Sequence, residues 1–95
     1  MQNPKLFSII WTDYFRHRID LRGFDIRKIE SILRHSEMRY FDVMSQRNIA
    51  VGKHDKRLVL IAYDKREDDI IPITIHATTR KQINFRLKTG RFIYE

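Results

Sequence analysis

The chain has 95 residues, no cysteine and a formal net charge of +7, from 19 Lys and Arg against 12 Asp and Glu. That length suits a single domain, and the missing cysteine excludes a disulfide framework, thiolate metal sites and a thiol nucleophile. The charge points to anionic partners, nucleic acid or an acidic protein before a membrane surface.

Apolar residues make up 42% and aromatics 12%, which is enough for a core and argues against disorder. Twelve arginines outnumber seven lysines, a bias that favours phosphate because the guanidinium grips two oxygens at once. An incidental basic surface is the plainer explanation of the same charge. The longest stretches without Lys, Arg, Asp or Glu, Leu6 to Thr12 and Ile70 to Thr79, fall short of the ~20 residues that span a bilayer. No signal-like apolar region follows the N-terminus, so the expectation is a soluble cytoplasmic protein without a membrane partner.

Met1 to Lys5 reads as a loose lead-in. Leu6-Phe-Ser-Ile-Ile-Trp11 is an apolar, β-branched run and predicts a first strand. Thr12 and Asp13 open a helix carrying Phe15 and Ile19 on one face and Tyr14, Arg18 and Arg22 on another, with Gly23 as its stop. Asp25 caps a second helix, with Ile26, Ile29, Ile32 and Leu33 as its apolar stripe and His35 near its end.

The period then changes. Met38 to Met44 alternates approximately, Asn48 to Gly52 is a short strand, and Lys53-His-Asp-Lys56 is a hairpin turn that leaves His54 exposed. Arg57 to Tyr63 is continuously apolar after its first residue and predicts a central strand covered on both faces. Asp64 to Asp69 is a charged loop, and Ile70 to His76 the last strand, where Pro72 marks an edge, a bulge or a free N–H side. A basic helix starts at Thr78 or Thr79, runs to about Lys88 and stops at Gly90. The predicted class is α+β: a short N-terminal strand, a helix hairpin, a curled antiparallel four-stranded meander and a C-terminal helix in one domain over residues 1–95.

Two stretches, Trp11 to Asp25 and Arg57 to Tyr63 with Ile73 to Arg80, carry a resemblance to a known group. The first resembles a helix with basic residues ending in an Arg-Gly-hydrophobic-Asp step, here Arg22-Gly-Phe-Asp25. The second resembles last strands that open into a basic helix. On these the chain is similar to the RelE/ParE superfamily of small toxins, and within it to the BrnT-like branch. Two departures stand out: Thr12 separates Trp11 from Asp13, and Ile75-His-Ala-Thr78 replaces an Ile-Ser-Ala-Arg type turn, which displaces the basic residue to Arg80. The resemblance implies a metal-independent mRNA endoribonuclease, acting free or on the ribosome and restrained by a cognate antitoxin protein. ParE-like relatives point to DNA gyrase as another target.

RNA cleavage without a metal needs a group to take the 2′-hydroxyl proton, a group to protonate the leaving 5′-oxygen, and cations to steady the phosphorane. His76, expected where the last strand meets a helix start, is the first candidate proton carrier, and Arg80 the clamp; a structural strand-end histidine is the equal alternative for His76. His17 is the second. Asn84, Lys88 and Arg91 continue from Arg80 at helical spacing and would follow a nucleic acid, while Ile83 and Leu87 face the core; the same row suits an ordinary solvated face. By analogy with the family, Tyr14, Arg18 and Arg22 would face the same cleft as His76, or Arg18 and Arg22 pair with nearby aspartates. Arg39 and Tyr40 could grip a phosphate or stack a base, though Tyr40 equally suits the core, and Tyr94 near the terminus is of second rank. His35 reads as a helix-end cap.

The histidines at 17, 35, 54 and 76 have no metal-ligand spacing, the acids of Asp64 to Asp69 lack the rhythm of a calcium loop, and three glycines make no phosphate cradle. No metal and no cofactor is therefore expected. Beside the nuclease stand a non-catalytic basic module of the same fold that binds nucleic acid or antitoxin, and a small interaction protein with incidental charge. Oligomeric state is open.

Overall fold

A computed structural model describes residues 7–95. The expected lead-in, Met1 to Lys5, and Leu6 at the start of the expected first strand lie outside the described residues. The elements run β1 (Ser8–Ile9), α1 (Asp13–Leu21), α2 (Ile26–His35), β2 (Met38–Asp42), β3 (Arg47–His54), β4 (Arg57–Arg66), β5 (Asp69–Thr78), α3 (Arg80–Lys88) and β6 (Phe92–Tyr94). The strands form a single six-stranded sheet in the order β1-β5-β4-β3-β2-β6, antiparallel except where β1 joins β5 in parallel. No helix among the described residues is long and apolar enough to cross a membrane.

The helix boundaries follow their local chemistry. Thr12 caps α1 by accepting the Phe15 N–H at 3.1 Å, and Asp25 caps α2 by accepting that of Arg27 at 2.8 Å. Gly23, at φ 71°, ends α1: its N–H reaches Asp20 O and the Phe24 N–H reaches Ile19 O at 2.9 Å. That double closure needs a left-handed residue, and it folds Phe24 back onto Ile19. Thr79 caps α3 through the Gln82 N–H at 3.1 Å.

The sheet separates two cores. On its first face α1 and α2 pack Phe15, Ile19, Phe24, Ile29, Ile32 and Leu33 against Ala50, Val59, Ile61, Tyr63, Ile70 and Ile75. The alternating residues of the same strands, Tyr40, Ile49, Val51, Leu60 and Ala62, make a second core with Ile83 of α3 and Phe92 of β6. This is why β4 reads as a continuous apolar run: both of its faces are covered. Gly52 lets α2 approach β3, because a Cβ there would lie 2.7 Å from Ile32 Cγ1.

Several expectations are corrected. The four-stranded meander is the middle of a wider sheet, extended by β1 on one side and by β6 on the other. Strands β4 and β5 consume most of the charged loop, leaving Glu67 and Asp68 as the turn, and β3 runs through His54 to leave Asp55 and Lys56. Lys and Asp side chains are no obstacle at hairpin ends, where they project past the core. His54 is not exposed but 4% accessible. Its Nε2 accepts the Asp25 N–H at 2.8 Å and its ring lies edge-on to Phe24, so it ties β3 to the start of α2. Tyr40 is core. Pro72 sits beside a register shift between β4 and β5, with Ile73 as the extra residue of the bulge.

Candidate functional site

The second face is incompletely closed, and the opening holds the candidate site. Strand register sets Thr74 beside Ala62 and Ile49, and His76 beside Leu60 and Val51, with Asp42 beside both Arg47 and Phe92. Ala62 and Thr74 are too small to fill the space under α3. A cleft of about 210 Å³ remains, lined by Asp42, Ser45, Arg47, Ile49, Leu60, Ala62, Thr74, His76, Arg86, Arg91 and Phe92.

Strand β5 runs two residues beyond His76, to Thr78. The imidazole therefore projects from the face of the sheet instead of standing at the mouth of α3, whose start is Thr79 and Arg80. Burial lowers its pKa from the ordinary 6.5, and the positive charges of Arg86 and Arg22 lower it further. Near neutral pH it is an uncharged ring that can accept a proton.

Arg86 takes the place expected for Arg80. On α3, Ile83 and Leu87 point to the core, and the rows Arg80–Asn84–Lys88 and Gln82–Arg86 lie on either side of them. Gln82 meets Thr78 of β5, at 3.1 Å between Oε1 and Oγ1, so its row overhangs β5 and the cleft. Arg80 lines a separate depression with Ser31, His35, Met38 and Leu58. The Arg86 guanidinium lies 5.3 Å from the Phe92 ring centroid and forms no ion pair among the described residues. The other arginines of the cleft are engaged: Arg47 with Asp64 at 2.8 Å, and Arg91 with both oxygens of Asp42 at 3.2 Å. Burial pushes the Asp42 carboxyl up, but hydrogen bonds from Arg91, Ser45 and the Met44 N–H outweigh it and hold the group below its ordinary range. The arrangement is one proton-accepting ring and one uncommitted guanidinium over a small pocket, with a structural ion pair at its far wall.

The remaining sequence candidates divide. Arg22, at the C-cap of α1, donates to the Ile75 carbonyl at the edge of β5, and its charge reaches His76. Tyr14 and Arg18 lie together on α1, the guanidinium 5.5 Å from the ring centroid, and line no part of the cleft. His17 is exposed on the same helix, opposite Phe15 and Ile19, in the layer that covers the other face of the sheet. Arg39 is a structural residue: its guanidinium caps α2 at the Ile32 and Leu33 carbonyls and bonds Tyr63 Oη at 3.2 Å. Asn84 and Lys88 are exposed on the row of α3 that points away from His76. Arg91 is not on a helix at all, because Gly90, at φ 81°, turns the chain into β6. Tyr94 belongs to β6, paired with Tyr40 and exposed.

Sequence reasoning missed Arg86, Arg47, Thr74 and Asp42. Thr74 was within reach, since i and i+2 share a strand face with His76. Arg86 was not, because the rows on either side of Ile83 and Leu87 are equivalent until the direction of α3 across the sheet is known. Among the described residues no three His, Asp or Glu side chains stand together as a metal-holding group. No protein-family model, curated protein or solved structure matches the chain.

Proposed function

We propose that the protein is the toxin component of a toxin–antitoxin pair, a RelE/ParE-like endoribonuclease that cleaves mRNA without a metal and is held in check by a cognate antitoxin in the cytoplasm. The observation that carries this is the pairing of an uncharged His76 with an uncommitted Arg86 in one cleft. The order of strand, helix hairpin, antiparallel strands and helix supports the same reading.

In this mechanism the phosphodiester lies against Arg86, and Nε2 or Nδ1 of His76 takes the proton of the adjacent 2′-hydroxyl as that oxygen attacks phosphorus. The bond to the 5′-oxygen breaks, the imidazolium returns the proton to it, and the products are a 2′,3′-cyclic phosphate and a 5′-hydroxyl. Arg86 steadies the charge gathered on the non-bridging oxygens of the phosphorane. Arg22, bound to the Ile75 carbonyl, adds to burial and Arg86 in lowering the pKa of the imidazole.

The test is cleavage of a long single-stranded RNA by purified protein with EDTA present, with 2′,3′-cyclic ends identified on the products. His76→Ala and Arg86→Ala should leave the RNA intact, and expression without the antitoxin should arrest growth only when both residues are present. Intact RNA and normal growth with the unaltered protein would sink this reading.

A second reading rests on the solitary imidazole: the cleft holds one histidine and no second group of similar pKa to share the proton work. On that ground the domain is a non-catalytic basic module that binds nucleic acid or antitoxin. Binding that weakens steeply with salt, with no cleavage, would establish it for nucleic acid.

A further inference from the structure

The outer surface of α3 carries an aromatic ring that neither core uses. Phe85 is 66% exposed, in a groove of about 450 Å³ with Lys81, Gln82, Arg86, Thr89 and Arg91. Arg86 and Arg91 also line the His76 cleft, so the two cavities share a wall. The stretch from Ile70 to Tyr94 has no Asp or Glu but carries Arg80, Lys81, Arg86, Lys88 and Arg91, of which Arg91 is paired with Asp42 of β2.

The kind of partner follows from the pattern around the ring. A docked helix needs an apolar row at i, i+3, i+4 and i+7, but Phe85 has Lys81 and Gln82 a turn before it and Lys88 and Thr89 a turn after it. One flat ring among cations fits a nucleobase, which stacks by its face while its phosphates meet the guanidinium and ammonium groups. We propose that Phe85 stacks one base of a single-stranded nucleic acid whose neighbouring phosphodiester occupies the His76 cleft, with Arg86 at the step between the two. This rests on reading the cleft as a phosphodiester site. It makes the substrate single-stranded, since a base within a duplex is covered on both faces by its neighbours and offers none to Phe85.

The experiment is a double comparison of Phe85 against the base. The probes are fluorescein-labelled 2′-O-methyl oligonucleotides, which keep bases and phosphates but lack the attacking hydroxyl, and a series carrying one abasic position at each site along the strand. Anisotropy titrations of the whole protein give Kd. Phe85→Ala should weaken binding of the intact strand about 5- to 150-fold, the range that base–aromatic stacking spans. Phe85→Trp should restore it. At one abasic position the unaltered protein should fall to the affinity of Phe85→Ala, and Phe85→Ala should lose nothing more. Exposure of the ring leaves the fold intact, checked by an unchanged Tm. Equal Kd for the unaltered protein and Phe85→Ala, an equal loss on intact and abasic strands, or no binding by the unaltered protein overturns the proposal. Coupling without cleavage of ordinary RNA removes the nuclease reading and leaves the stacking site. Cleavage without coupling does the reverse.

Discussion

On one face of the sheet two helices and the turn between them lay six apolar side chains over six from the strands, and a buried histidine, His54, bonds the start of α2 to a strand. On the other face a single nine-residue helix contributes Ile83, with Leu87 packed alongside, and a second histidine, His76, is left beside an open cleft. The strands between are the same, and only what covers them differs. His54 Nε2 already accepts a backbone N–H, so its lone pair is spent on the fold. His76 has no such bond among the described residues, and burial, followed by the charges of Arg86 and Arg22, lowers its pKa. The two-helix face holds the larger core, with an opening of its own of about 420 Å³ beside Leu33, Arg39, Tyr63 and Ile70. The face closed by one helix leaves room for a ligand.

The sharpest way to break this contrast is a reciprocal pair of substitutions. His76→Ala should reduce RNA cleavage by roughly 10²- to 10⁴-fold, the usual reach of a general base, with Tm unchanged. Phe15→Ala, at the centre of the closed face, should cost about 3–5 kcal/mol in urea unfolding and reduce activity only in proportion to the folded fraction. If His76→Ala melts early while cleaving normally, the assignment of the two faces is wrong.

Next in size is the wall of the cleft. Asp42→Ala leaves Arg91 without its bidentate partner and should lower stability by about 1.5–3 kcal/mol. The carboxyl of the unaltered protein has a folded pKa below its ordinary 3.8. Its contribution to stability is therefore complete above the ordinary carboxylate value and is lost as pH falls through the lowered one. Unfolding followed against pH should show that loss in the unaltered protein and a shallower one in Asp42→Ala.

Gly52→Ala tests how tightly the closed face is packed. The added methyl would meet Ile32 Cγ1 at 2.7 Å, and pushing α2 outward should cost about 1–3 kcal/mol. Ile32→Ala, which removes both Cγ atoms, should cost less in the Gly52→Ala chain than in the unaltered one, seen as non-additive urea midpoints.

The smallest expected effect is a shift along the pH axis. The His76 pKa is lowered by burial and then by Arg86 and Arg22, so the folded chain holds fewer protons than the unfolded one between that lowered value and 6.5. Stability from this group is full above about 6.5 and falls as pH drops through the lowered value. Cleavage should likewise rise with pH through the lowered value and level off before 6.5. Arg22→Gln removes one of the charges and should move that rise to higher pH, with little change in the plateau rate. A profile unmoved by Arg22→Gln would detach Arg22 from the site.

Much of this protein is written locally. Thr12, Asp25 and Thr79 cap their helices because a side-chain oxygen satisfies an N–H two or three residues away, and Gly23 and Gly90 stop them because only a left-handed residue closes those ends cheaply. The stripe of α2 and the doubly covered β4 follow from period alone. A histidine at 76 on the last long strand, and a basic helix following it, were legible in the same way. What lay beyond local chemistry was every statement about which face meets which. His54 looked like a turn residue until pairing with Arg57 extended the hairpin and Phe24 and Asp25 came to rest on it. Arg39 looked like a phosphate grip until the carbonyls at the end of α2 were placed within its reach. Arg91 and Tyr94 changed role once β6 added itself to β2. The choice of Arg86 over Arg80 turned on the direction in which α3 crosses the sheet. Period and capping act over one or two turns, so residue order determines them. The cleft joins β2, β3, β4, β5, α3 and β6, and only the packing of the whole sheet decides which of their side chains meet.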